Sequence, residues 1–361
     1  MNIPVIPHFT TLKFYYLLLC LLFLKNGLIV AEDVVISSNH GIKIKAVGDI
    51  VPGTDFPDKS RLPARGGEQL FEQVSTYLND TDLLFGNYES TFTDYPKTRK
   101  NTSRKMVFAF RTPPAFAADL KKAGFDILNI ANNHSNDFYE KGFQDTAKNI
   151  KAADMLFTGF KNEINTTEKN GLRIAFIGFS YLDFHNSILD YSHTANIIKK
   201  AVQQADIVIV SVHGGAEGVS AVHIENKNEN FYGENRGNLV KFSHLAIDSG
   251  ADLVLGHGPH VPRAMELYKE RLIAYSLGNF IGYHVFSINS YTSYSLILEV
   301  NLDKTGKFET GKIIPLILSS EGIPHYDAEG RSIKLIKNLM DNDIKNKNLI
   351  LNNEGILQYS R

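Results

Sequence analysis

Thiols are almost absent from this chain of 361 residues, whose single cysteine is Cys20. Cys20 lies inside the apolar run Phe14 to Leu24, which carries no charge and follows Lys13. A body without cysteine forms no disulfide, offers no thiolate to a metal and has no cysteine nucleophile. Net charge is scarce as well, with 38 Lys plus Arg against 39 Asp plus Glu. Such a balance creates no general field for nucleic acid or an acidic membrane surface, so no nucleic-acid partner is expected and an anionic substrate must be held locally. Internal repeats are also lacking. The one compositional bias is the Lys/Asn-rich stretch Lys334 to Asn353, expected to cover a helix and a frayed end.

The run Phe14 to Leu24 has the length of a signal-peptide h-region and is shorter than the ~20 apolar residues of a bilayer span. It predicts export to the periplasm or cell envelope, with Ala31, before Glu32-Asp33, as a cleavage point. An uncleaved membrane anchor is the alternative, because Leu28 to Ala31 extends the apolar stretch past Lys25. The expected organisation is a leader or anchor over 1–31, one domain over 32–325 and a C-terminal helical tail over 326–361.

From Ile42 onward, short β-rich runs alternate with amphipathic or helix-capped stretches, the pattern of an α/β domain. Strands are expected at Ile42 to Val47, Leu83 to Phe85, Ile127 to Ile130, Ile174 to Phe179, Ile207 to Val212, Leu253 to Leu255, Leu272 to Tyr275 and Leu296 to Val300. Helices are expected over Glu68 to Leu78, from Pro113-Pro114 to Gly124, over Glu140 to Ala153 and over Leu239 to Ile247. Pro52 to Gly67 and Val222 to Gly237 read as long loops.

Polar clusters stand where the strands run out. Gly48-Asp49 follows the first, Asn87-Tyr88-Glu89 the second, Asn132-Asn133-His134 with Asp137 the third, His213 the most apolar one, and His257-Gly-Pro-His260 the sixth. Each has a bland reading: Asp49 as a turn former, Glu89 as a solvated loop acid, Asn133 as a turn residue, His213 as a core histidine, His257 and His260 as a loop pair. Together they supply the carboxylate, amide and imidazole donors that divalent cations take, at the sheet edge where α/β proteins bind ligands. Gly258 and Pro259 let two histidines three apart face a common point without a helix. His223 and His284 lie near these loops and are weaker candidates.

In this order the clusters resemble the bacterial capsule-synthesis CapA family, the PGA_cap domain of the calcineurin-like metallophosphoesterase superfamily. The similarity runs from about Ile42 to Asn279, and its most specific parts are Ala131-Asn-Asn-His134 with Asp137, and Gly250 to His260 continuing to Tyr275-Ser-Leu-Gly-Asn-Phe280. The resemblance implies a four-layer α/β/β/α metallophosphoesterase-like sandwich, a single domain, holding two divalent metal ions (Mn, Fe, Zn or Mg) and serving poly-gamma-glutamate or other capsule polymer production. It gives Asp49 and His260 to one metal, Asn133, His213 and His257 to the other, and Glu89 to both, with His134 as general acid. Asp137 is the candidate partner of His134. Arg263 and Arg236 are candidate clamps on an anionic substrate. The chain departs from the superfamily pattern in Val51, where a His is usual, in a Glu at position 89, and in His-x-x-His for His-x-His. The implied activity is phosphoester hydrolysis. A non-catalytic envelope accessory and a metal-dependent amide hydrolase of the polymer are the alternatives, and the implied partners are an anionic polymer or phosphoester substrate and a membrane-bound polymer synthase.

Overall fold

The computed structural model describes residues 41–104 and 107–360, so Cys20, the leader and its cleavage point lie outside the described residues. Every strand expected from the sequence forms. Two mixed sheets carry them. The ten-stranded sheet runs in the order Leu349–Leu351, Ile356–Tyr359, Phe308–Leu318, Tyr294–Leu302, Ile42–Val51, Leu83–Tyr88, Ile127–Asn129, Leu156–Thr158, with Asn279–Gly282 pairing beside Ile42–Val51 and Pro324–Tyr326 beside Phe308–Leu318. The seven-stranded sheet runs Met265–Tyr268, Arg271–Ala274, Leu253–His257, Ile207–His213, Leu172–Ser180, Asn165–Lys169, with Asn186–Ser187 at the side.

The site-bearing strands of each sheet are parallel and buried on both faces, which is why they read as unbroken apolar runs. Ile44 and Phe85 of the larger sheet meet Phe176 and Ile209 of the smaller in one core, where the Phe85 and Phe176 rings stack with centroids 6.1 Å apart. Each such fully buried side chain contributes about 1.5–3 kcal/mol. On the outer face of the larger sheet, Leu84 and Leu128 pack with Leu120 of helix Phe116–Lys122 and with Phe143 and Ile150 of helix Tyr139–Ala152. The smaller sheet is covered by helices Tyr191–Val202 and Leu239–Asp248, the latter through Phe242 against Phe179 at 5.1 Å. The layers are therefore α/β/β/α, as expected.

Four features differ from the sequence reading. The expected loop Val222 to Gly237 contains a two-stranded hairpin, Glu229–Phe231 paired with Glu234–Gly237, because the chain reverses at Tyr232-Gly233, both at positive φ. The expected helix Glu68 to Leu78 is broken into a 3-10 turn, Gly67–Leu70, and a single α turn, Ser75–Leu78. Its apolar residues Leu70, Phe71, Val74 and Leu78 are all buried, so packing holds them without a continuous helix. Helix Tyr191–Val202 is absent from the expected set; the Asp190 side chain caps it by accepting from the His193 N–H. The C-terminal segment provides the expected helix, Arg331–Asp343, but the residues after it form a hairpin in the larger sheet, Leu349–Leu351 and Ile356–Tyr359, rather than a frayed end.

Candidate metal centre

Strand register brings the polar ends together. Asp49 pairs with Asn87 on one side and Asn279 on the other, while in the second sheet His213 pairs with His257. Gly48 is required here, because a Cβ would collide with the Gly278 carbonyl. Gly258, at φ 105°, lets the turn pass directly over His213, where a Cβ would lie 3.1 Å from Nε2. His260 itself takes φ 59°, a left-handed conformation that a β-carbon disfavours, so the turn is held by its surroundings.

Asp49, Glu89 and His213 are fully buried, and one donor atom from each lies within 4.8 Å of the others. His260 Nδ1 is 3.1 Å from Asp49 Oδ2 and its Nε2 is 3.8 Å from Glu89 Oε1. His257 Nδ1 lies 3.6 Å from Asp49 Oδ1, and His213 Nε2 lies 3.7 Å from Glu89 Oε1. Asn87 donates to Asp49 Oδ1 at 2.8 Å, and Asn129 in turn donates to Asn87 Oδ1 at 2.8 Å, which fixes the amide. Both carboxylate oxygens of Glu89, His213 Nε2, both nitrogens of His257 and Asn133 Oδ1 are buried without a hydrogen-bond partner. The five orphaned atoms of Glu89, His213 and His257 are costly unless a cation takes them, so the residues present fit a divalent metal.

The electrostatics are those of a crowded charge cluster. Burial drives His213 well below the ordinary imidazole range and His257 down to about 4, Asp49 opposing it in both cases. Burial also lifts Glu89 well above the carboxylate range, against the pull of His260. Burial opposes charge on Asp49 and on His260, yet their mutual contact prevails, holding Asp49 at about 2 and, with Glu89, raising His260 to about 10.

His134 and Asp137 meet as expected, with His134 Nδ1 2.8 Å from Asp137 Oδ2. Asp137 also accepts from the Phe110 N–H at 2.8 Å and lies 3.0 Å from Lys100 Nζ. Burial favours its acid form, but the His134 and Lys100 charges and these hydrogen bonds keep it below the usual range. Burial lowers His134 in turn, against the attraction of Asp137. The Phe110 ring packs 4.2 Å from the imidazole. A cavity of about 650 Å³ opens beside this pair, lined by Asn133, His134, Lys100, Tyr181, Glu217 and Arg236 among others.

The two arginines separate. Arg236 lines the cavity, held by Glu217 at 2.8 Å and Glu234 at 2.8 Å and lying over the Tyr181 ring at 4.3 Å. Arg263 does not clamp a substrate: it is fully buried, paired two-pronged with Glu229 at 2.9 and 2.8 Å, and donates to the Ala216 carbonyl. Its charge is neutralised inside the protein, where it pins the glycine loop after His213 to the hairpin that carries Glu229. His223 pairs with Asp343 and His284 lies 3.7 Å from Glu321, so neither joins the cluster. Four contributors were not among the expected site residues. They are Asn279, 2.9 Å from His260 Nδ1; Glu217, 3.9 Å from His260 Nε2; Lys100; and Asn129. Each stands in a loop or strand whose local sequence is ordinary for its element, although Asn279 lies in the Ser-Leu-Gly-Asn motif.

Residues 43–284 match the family model described as bacterial capsule synthesis protein PGA_cap. The chain is 31% identical over 263 residues to the capsule biosynthesis protein CapA of Bacillus anthracis, covering 67% of this chain and 60% of that protein's length. It is 28% identical over 296 residues to the PGA biosynthesis protein CapA of Bacillus subtilis, covering 76% and 72% respectively. Among solved structures, a 5'-nucleotidase precursor from Thermus thermophilus overlaps 83% of this chain and 58% of its own, at 12% identity and a TM-score of 0.40, a likeness too slight to support an assignment.

Proposed function

The chain belongs to the bacterial capsule synthesis PGA_cap family, and from that premise we propose that it is an exported, metal-dependent phosphoester hydrolase acting in the production of an anionic capsule polymer such as poly-gamma-glutamate. The observation that carries the reading is Glu89, a fully buried carboxylate with both oxygens unpaired, set beside Asp49 and the imidazoles of His213 and His260. In this proposal Asp49 and His260 hold one cation, His213, His257 and Asn133 hold a second, and Glu89 serves both. Bound there, divalent cations supply Lewis-acid charge for a phosphoryl oxygen and a nucleophile at neutral pH.

The chain's own residues do the rest. Asp137, hydrogen-bonded to Nδ1 of His134, fixes the ring's orientation and favours its imidazolium form against the burial that opposes it; in that form, protonated on both nitrogens, Nε2 gives its proton to the departing oxygen and His134 is left neutral. Phe110 packs against the imidazole, which also lines the cavity and so stays within reach of a substrate. Arg236 lines the cavity with its charge already taken up by Glu217 and Glu234, so it shapes the wall rather than clamping an anion. The dyad beside the donor cluster favours catalysis over a passive metal platform. Export is proposed on the apolar leader, and association with a membrane-bound polymer synthase is proposed with it, supported by the family's description as a capsule synthesis protein.

Elemental analysis of the purified chain, run beside a panel of phosphomonoesters and diesters with and without chelator, tests this. Bound transition metal with chelator-sensitive turnover is expected. A chain that binds no divalent metal overturns the reading, and metal retained without hydrolysis assigns the accessory role instead.

A further inference from the structure

Lys97, Arg99, Lys100 and Arg104 lie within eight residues that contain no acid, in a chain where acids and bases otherwise balance. Their segment is tied to the catalytic turn. The Thr98 hydroxyl donates to the Asp137 carbonyl at 2.8 Å, the Arg99 N–H donates to the same oxygen at 3.0 Å, and Lys100 Nζ donates to the Asn133 carbonyl at 3.3 Å. Arg99 and Lys100 both line the cavity that contains His134.

Apart from Lys100, which pairs with Asp137, the charge on this loop is not used by the fold. Among the described residues, the side chains of Lys97, Arg99 and Arg104 make no ion pair or hydrogen bond, and Arg99 is exposed. Arg236, on the same cavity, is by contrast saturated by two carboxylates. A small phosphoester needs only the inner end of the cavity, near His134. Three uncompensated cations on a segment fastened to that end fit a ligand that carries further anionic groups beyond the reacting one.

We propose that the loop Lys97 to Arg104 is a docking surface for an acidic polymer with repeated carboxylates, which it leads toward the His134 end of the cavity. This rests on the polymer role proposed above but not on hydrolysis. The cations hold successive carboxylates by charge and hydrogen bonding, so affinity grows with chain length and falls with salt.

Fluorescence anisotropy with labelled poly-γ-glutamate of several dozen residues tests it, on the whole chain in chelator so that turnover cannot intervene. The wild type is expected to bind the polymer far more tightly than free glutamate. Arg99→Glu/Arg104→Glu is expected to weaken binding about tenfold at low salt and to make the slope of log affinity against log salt shallower by about two. The control Lys199→Glu/Lys200→Glu, on an exposed turn of helix Tyr191–Val202, is expected to bind as the wild type does. Arg99→Gln, which removes the charge without reversing it, gives the same direction if the double variant melts early. Equal loss in the control, no loss in the loop variants, or equally tight binding of single-stranded oligothymidylate overturns the proposal. Loop-dependent binding without any hydrolase activity keeps this inference and removes the catalytic one, while hydrolysis with loop-independent binding does the reverse.

Discussion

Replacing Glu89 by Met separates a structural carboxylate from a metal-binding one, because the two readings predict opposite signs. Glu89 has no accessible surface and neither oxygen has a donor, so without a cation its burial opposes folding. Leaving such a group unpaired costs about 1–3 kcal/mol, and Met fills a similar volume with no polar atom to satisfy. The variant is therefore expected to be about 1–3 kcal/mol more stable than the wild type in excess chelator. With metal present the order reverses. A cation at about 100 to 1,000 times its Kd stabilises the wild type by about 2.7–4.1 kcal/mol, a gain the variant loses in large part. Urea unfolding of both proteins, each with chelator and with Mn or Zn, yields the four free energies. A Glu89→Met protein that is less stable than the wild type in chelator, and that keeps the full metal-induced gain, refutes the reasoning.

His134→Ala is expected to keep its metal content and to lower phosphoester turnover by about two to four orders of magnitude, since Asp137 still accepts from Phe110 and lies against Lys100; unchanged turnover removes the general-acid role. Glu229→Gln is expected to cost about 3–5 kcal/mol in urea unfolding, because it leaves the Arg263 charge buried and unpaired, whereas a clamp on substrate would alter KM with stability intact. His185 is buried against Ser180 and Ser135, and burial lowers it to about 3. The unfolded chain binds the proton more readily there, so its contribution is complete above the ordinary imidazole value of about 6.5 and falls with pH, by about 2 kcal/mol between pH 7 and pH 5. Comparing the pH slopes of the wild type and His185→Gln measures this term, and identical slopes contradict it.

The strands, and the chemistry at their ends, were legible in the order of the residues. Runs such as Ile207 to Val212 are apolar because both faces are buried, and the polar residue that ends each run is buried too, at the edge where the donors gather. Helices Tyr139–Ala152 and Leu239–Asp248 were legible for the same local reason; Tyr191–Val202, which buries Thr194, Ile197, Ile198 and Ala201 at helical spacing, carried the same kind of signal without being read, and the similar spacing over Glu68 to Leu78 made no continuous helix. Which strand ends meet was settled by the packing of the two sheets. The Gly258 N–H reaches Asp49 Oδ2 at 3.4 Å across 209 residues, and only that packing sets the approach. It also turned Arg263 inward to Glu229, and set Lys100 on Asp137 and Asn279 on His260. Alternation and capping act over a few residues, whereas the direction of a charged side chain depends on which partner the fold places within reach of it.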